Sequence, residues 1–222
     1  MKLGILFSGG KDSMYALYLA KKEKYSVECL ISIYSDNKES FMFHTPSIKN
    51  VEQLSLALDL PLVSVTTLGE KEKELEDLEK AIRIAIQKYK IEGIVTGAVE
   101  SVYQASRIQK ICCTLQIECF NPLWQKSGEQ ILWDLVKNKF KVMITGVFAF
   151  PLDKSWLGRV IDASFISDMK KLHERYGISM NGEGGEYESL VISCPLFKRK
   201  VRVKNYEDFG EKNSWRREVS LE

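Results

Sequence analysis

The chain has 222 residues, 45% apolar and 28% charged, with 32 Lys and Arg against 30 Asp and Glu. That length and apolar fraction can bury a full core in one or two globular domains, which excludes a disordered chain. The near balance of charge supplies no global field for nucleic acid or an acidic membrane surface, so a macromolecular partner has to be recognised by a local site.

Met1-Lys2 is followed at once by Leu3-Gly4-Ile5-Leu6-Phe7, too short for a signal peptide, and no apolar stretch approaches membrane-spanning length. A cytoplasmic protein is the expectation. The cysteines (Cys29, Cys112, Cys113, Cys119, Cys194) are odd in number and contain no Cys-x-x-Cys. They read as reduced, mostly buried thiols rather than as a disulfide framework or a zinc ribbon.

In chain order, Leu3 to Phe7 is a short strand without polar alternation, and Met14, Leu17, Tyr18 and Lys21 repeat at helical spacing after a glycine pair. Val27 to Ile33 is a second strand. Thr45-Pro46 reads as an N-cap and first helical residue, leading into a helix whose Ile48, Val51, Leu54 and Leu58 share a face. Leu62 to Val65 is a third strand. From Glu70 to Tyr89 a stripe of Leu75, Leu78, Ile82, Ala85 and Tyr89 predicts a long surface helix, with Glu76 to Lys80 and Glu79 to Arg83 paired across a turn. Gly93 to Gly97 is a fourth strand, and Ile108, Ile111, Cys112 and Leu115 mark the next helix.

This alternation predicts a doubly wound, mostly parallel α/β sheet of Rossmann-like type, with ligands outside the carboxyl ends of the strands. The strand-to-helix junctions at 8 to 13, 34 to 46 and 96 to 104 are therefore the default site. Beyond Phe120 the pattern changes. Asn121-Pro122-Leu123-Trp124 is a turn, Gln130 to Val136 a helix, Lys141 to Val147 a strand, Ile161 to Tyr176 a helix, and a glycine-rich acidic loop precedes Leu190-Val191-Ile192. The expected domains are an ATP-binding domain at 1 to 120 and a smaller α+β substrate-binding lobe at 121 to 222.

Ser8-Gly9-Gly10-Lys11-Asp12-Ser13 lies where a strand ends and a helix begins, so free backbone N–H groups and the positive helix end face whatever fills the turn. The glycines let backbone approach oxygen, Lys11 adds a charge, and Ser8 and Ser13 add hydroxyls, a set suited to polyphosphate. It is not a Walker A loop, which needs glycine where Ile5 stands and Ser or Thr where Asp12 stands. Nor does it match the Gly-x-Gly-x-x-Gly fingerprint.

The hexapeptide resembles the PP-loop of N-type ATP pyrophosphatases. That resemblance implies ATP cleavage between the α and β phosphates, with pyrophosphate leaving into the loop. Three further segments narrow it: Ser101-Val102-Tyr103-Gln104 with Arg107; Asn121 to Trp124; and Gly182-Glu183-Gly184-Gly185-Glu186-Tyr187-Glu188-Ser189 followed by Pro195-Leu196-Phe197. With them the chain, from Leu3 to about Val203, resembles the diphthine-ammonia ligase family. Val102 stands where the family is commonly acidic, and Ala105 where it is often basic.

The resemblance implies amide formation on the diphthine carboxylate of translation elongation factor 2, with ATP, Mg2+ and ammonium, through an acyl-adenylate. It places Ser8 to Ser13, His44 and Gly97 around ATP, with Lys11 catalytic and Asp12 toward magnesium. Ser101, Tyr103, Gln104, Trp124, Gly184, Gly185, Tyr187 and Glu188 are its candidate substrate contacts. On the residues themselves, Arg107 is suited to counter charge on the α phosphate. Glu183, Glu186 and Glu188 concentrate three carboxylates that repel one another unless a cation, protonation or solvent relieves them, and Glu183 or Glu186 is suited to take a proton from ammonium. Trp124, Trp156 and Tyr187 are candidates for a cage around a trimethylammonium group.

Two other classes stay open at this level. A tRNA-modifying enzyme on the same fold is opposed by Cys112 and Cys113, which point about 100 degrees apart on a helix. A sensor that binds ATP or AMP without chemistry has no need of the acidic loop. The length leaves no room for a glutaminase, so free ammonium is the expected nitrogen source, and a homo-oligomer is compatible with all of this. His173 carries no assignment, and Lys137 to Lys141 and Lys198 to Lys204 read as solvated basic faces.

Overall fold

Each short apolar run of the first half becomes a parallel strand in a computed structural model that describes residues 1–35, 48–67 and 73–222. The strands are β1 (Lys2–Leu6), β2 (Ser26–Ser35), β3 (Leu62–Thr67), β4 (Gly93–Val95) and β5 (Glu118–Phe120), in spatial order β3-β2-β1-β4-β5. All four pairings are parallel. Helices α1 (Lys11–Lys22), α2 (Ile48–Leu58), α3 (Lys73–Tyr89) and α4 (Val102–Leu115) make the crossovers.

From β1 the chain moves outward through β2 to β3 and then returns past β1 to β4 and β5. Right-handed crossovers therefore put α1 and α2 on one face and α3 and α4 on the other. On the second face Cys29, Ile31 and Ile33 of β2 pack in one cluster with Leu78 and Ile82 of α3 and Ile108 and Cys112 of α4. On the first, Met14 and Leu17 of α1 and Val51 and Leu54 of α2 are fully buried. Burial of each such side chain contributes roughly 2 kcal/mol. The predicted α3 stripe is the buried one, and Glu79 pairs with Arg83 on its outer side at 2.6 Å.

The contacts divide the chain into two compact units, Met1–Trp124 and Gln125–Glu222. The Asn121-Pro122-Leu123-Trp124 turn, expected in the second domain, thus belongs to the first. The physical reason is the bond from the Thr96 hydroxyl at the end of β4 to Oδ1 of Asn121, 2.5 Å long.

The second unit contains α5 (Gly128–Lys137), β6 (Lys141–Val147), α6 (Ala163–Tyr176), β7 (Tyr187–Ser193), β8 (Val203–Glu211) and β9 (Ser214–Leu221). Its strands form an antiparallel sheet in the order β7-β6-β9-β8. Helix α6 starts two residues later than its apolar pattern suggested, because Asp162 caps it by accepting the Phe165 N–H at 2.8 Å. The β8–β9 hairpin is absent from the sequence reading, since β8 is mostly exposed and charged and lacks a run of apolar alternation. Cross-strand contacts hold it instead: Arg217 grips Asp208 with two bonds of 2.7 and 2.9 Å and lies 3.9 Å over the Tyr206 ring.

Candidate functional site

Strands β1 and β4 are neighbours from which the chain departs in opposite directions, so the turns after them form the switch point of the first unit. The turn after β1 is the phosphate loop. Gly9 sits at φ +80, a left-handed conformation natural to glycine. Gly10 is the extended N-cap of α1 and offers no side chain to it, so the first-turn N–H groups face the turn.

The loop is braced by its own hydroxyls. Ser13 Oγ donates to the Gly10 carbonyl at 3.2 Å and lies 3.1 Å from Ser8 Oγ, while the Gly10 N–H donates to Ser8 Oγ at 3.3 Å. Lys11 is 4% exposed, and its ammonium meets Oδ2 of Asp12 at 2.8 Å. A buried cation placed beside an anion site is held ready by its neighbour, and an incoming phosphate competes for it. Serine oxygens thus shape the loop, and the first-turn backbone N–H groups and Lys11 are the donors that could hold a phosphate there.

Gly97, just past the end of β4, completes the turn. A Cβ there would stand 2.7 Å from the Ser13 nitrogen and 2.8 Å from the Asp12 carbonyl carbon, so only glycine lets the start of α1 come this close. Farther along the same junction Ser101 caps α4 by accepting the Gln104 N–H at 3.3 Å. One turn on, the Arg107 guanidinium lies 3.5 Å above the Tyr103 ring. Tyr103 and Arg107 are therefore one stacked unit on α4. His44 lies outside the described residues.

In the second unit the glycine–glutamate loop runs into β7. Oε1 of Glu186 accepts the Ser179 N–H at 3.0 Å, and Oε2 of Glu186 is buried without a hydrogen-bond partner. The Glu183 N–H donates to Ser179 Oγ at 3.3 Å. Glu188 is different: Oε1 lies 3.2 Å from Nη2 of Arg216 on β9. Of the three carboxylates expected to need relief, Glu188 finds it within its own unit, in the charge of Arg216.

Two of the three rings expected in an aromatic cage are engaged elsewhere. Tyr187 is 5% exposed, donates its hydroxyl to the Met180 carbonyl at 2.9 Å and packs edge-on against Phe165. Trp156 packs edge-on against the same Phe165 and carries the Arg159 guanidinium 4.3 Å above its ring. One ring is spent in the core and the other already holds a cation. Trp124 is half-buried in the turn of the first unit, its backbone N–H donating to the Asn121 carbonyl at 3.0 Å. Gly184 and Gly185 are exposed.

Two family models match the two halves of the chain and leave residues 120–126 between them. One described as the diphthamide synthase N-terminal domain matches residues 1–119, and one described as the diphthamide synthase C-terminal domain matches residues 127–218. The chain belongs to the diphthamide synthase family. The diphthine–ammonia ligase of Homo sapiens is 30% identical, with 93% of this chain and 84% of the human protein covered. That of Schizosaccharomyces pombe is also 30% identical over 93% of this chain but only 37% of its own length, and that of Saccharomyces cerevisiae is 27% identical over 89% and 34%.

Membership makes the chain an ATP-dependent amide ligase. The PP-loop lies in the diphthamide synthase N-terminal domain and the glycine–glutamate loop in the C-terminal one. Thr96, within the expected 96 to 104 junction, ties β4 to Asn121 through its hydroxyl; residues that sequence reasoning missed are Ser179 and Arg216, which sort the glutamates. No local signal marks Arg216. Cys112 finds its neighbour in Cys119 rather than in Cys113: that hydrogen bond, with burial, raises the Cys112 thiol, and the same bond lowers that of Cys119 against the opposing effect of burial. Among the described residues no helix is long and apolar enough to cross a membrane.

Proposed function

We propose that this chain converts the diphthine carboxylate on translation elongation factor 2 into the diphthamide amide in the cytoplasm, using ATP and free ammonium and releasing AMP and pyrophosphate. What carries this reading is the likeness to proteins named diphthine–ammonia ligase, 30% identical across both units and not the phosphate loop alone. The sensor reading loses its ground once the chain is a ligase.

The carboxylate oxygen attacks the α phosphorus and the bond to the β-phosphate oxygen breaks, giving an acyl-adenylate and pyrophosphate. Backbone N–H groups at the start of α1 and Lys11 hold the charge that builds on the leaving pyrophosphate, a preorganised electrostatic contribution. Arg107, kept in place by Tyr103, counters charge on the α phosphate. Ammonium then gives a proton to a carboxylate of the second unit, for which Glu186 with its bare buried oxygen is better suited than Glu188. Ammonia attacks the acyl carbon, AMP leaves, and a second proton passes to solvent. Ser101, Gln104 and Trp124 are proposed contacts for the acceptor.

Magnesium ordinarily enters such sites on the phosphates, with one or two carboxylates and several waters. Asp12 in the loop suits that mode, and among the described residues no cluster of three or more His, Cys, Asp or Glu forms a separate cage. Bound there, the ion would neutralise phosphate charge.

The test is mass spectrometry of elongation factor 2 bearing diphthine, incubated with this chain, Mg-ATP and ammonium, with AMP followed in parallel. Acid converted to amide with matching AMP is the expected result. AMP without amide would move the activity to another carboxylate or to tRNA, and neither product would sink the reading.

A further inference from the structure

Arg216 is remote in sequence from the glutamate loop, yet the sheet brings the two together. Glu188 on β7 and Arg216 on β9 are each in register with Gly146 of β6, the strand between them. Both side chains reach across that strand until Nη2 of Arg216 lies 3.2 Å from Oε1 of Glu188. The crossing is possible because the residue beneath it has no side chain. A Cβ on Gly146 would stand 3.1 Å from Oε2 of Glu188 and 2.7 Å from the Phe148 ring. That ring in turn faces the guanidinium, whose carbon lies 5.2 Å from its centre.

Glu186 stands at the bend just before β7 and its carbonyl accepts the Phe148 N–H at 2.9 Å, while Glu188 is in register with Gly146, so the two glutamates adjoin the same end of β6. Two uncompensated carboxylates so placed would compete for one incoming cation and oppose each other's ionisation. With Arg216 on Glu188, the oxygen left bare is Oε2 of Glu186. Resting on the ligase reading above, we infer that Arg216 is a positioning residue: it neutralises Glu188 across Gly146 and thereby directs ammonium to Glu186. Arg216 and Glu188 are about one-third exposed, at 34% and 29%, so the pair is reachable by solvent and its effect is moderate.

The experiment compares Arg216→Met, Glu188→Gln and the double variant with the full wild-type chain, using diphthine-bearing elongation factor 2, Mg-ATP and ammonium. Arg216→Met is expected to lower kcat/KM for ammonium about tenfold, as a stranded, partly buried charge does, while leaving KM for ATP unchanged. Adding Glu188→Gln to it restores the level of Glu188→Gln alone, and Arg216→Lys keeps most of the wild-type rate. In thermal denaturation of the same proteins the double variant loses less than the sum of the single losses. A wild-type rate in Arg216→Met, a double variant stuck at the Arg216→Met level, or additive melting losses would each overturn the role. If the wild-type chain forms no amide, the ligase reading falls, and the melting cycle still decides whether Arg216 is the counter-ion of Glu188.

Discussion

The two glycine loops of this molecule are built on opposite plans. In the phosphate loop the serine braces join residues no more than five apart, from Ser8 to Ser13. In the glutamate loop Glu186 is held by Ser179, seven residues away, and Glu188 by Arg216, twenty-eight away. A loop that satisfies itself carries its chemistry in a short motif. A loop balanced by a distant strand has charges whose meaning depends on where that strand lands.

Substitution can break this contrast, and the largest expected effect is at Lys11. Lys11→Ala should lower AMP formation by about a hundredfold or more, the scale of losing a preorganised transition-state charge, with the melting temperature moved by only a few degrees. Steady-state AMP release and a thermal scan check both halves. Next is Gly97→Ala, whose methyl would meet backbone rather than a flexible side chain. It should cost about 1–3 kcal/mol of stability and displace the start of α1, lowering ATP–pyrophosphate exchange as well as amide yield.

Gly146→Ala sharpens the comparison from the other side. Its methyl would press on the Phe148 ring and the Glu188 carboxylate, so amide yield should fall several-fold while ATP–pyrophosphate exchange on the acceptor stays near wild type. Equal loss in both assays would show that the two loops do not divide the reaction in this way.

The smallest effect is expected in the β8–β9 hairpin. Arg217→Met should lower the melting temperature by about 2–4 °C, the scale of roughly 1 kcal/mol in a protein of this size. The Arg217 guanidinium beside Asp208 holds that carboxyl below its ordinary range. A depressed folded-state value stabilises above the unfolded carboxylate value and loses its contribution as pH falls through the folded one. The melting difference between wild type and Arg217→Met should therefore be full at neutral pH and shrink in acid. A difference independent of pH would mean that packing on Tyr206, not charge, holds the hairpin.

Secondary structure followed the same division between near and far. Lys141 to Val147 is a strand with the bounds its apolar run predicted, and the stripe from Leu75 to Tyr89 is the buried side of α3. Glu118–Phe120 escaped notice because three residues hold no period, and it is a strand only through its pairing with β4. Val203–Glu211 escaped because its stability comes from partners on β9.

By itself the sequence determined the alternation of strands and helices, the phosphate loop and the presence of an acidic glycine loop. These depend on period, on backbone freedom and on hydrogen bonds between near neighbours, all written in contiguous residues. Only the tertiary structure decided that Tyr187 belongs to the core, that Arg159 already covers Trp156, and that Glu188 has its cation from Arg216. Burial and charge compensation are set by which distant segments meet, and that meeting is a property of the assembled sheet.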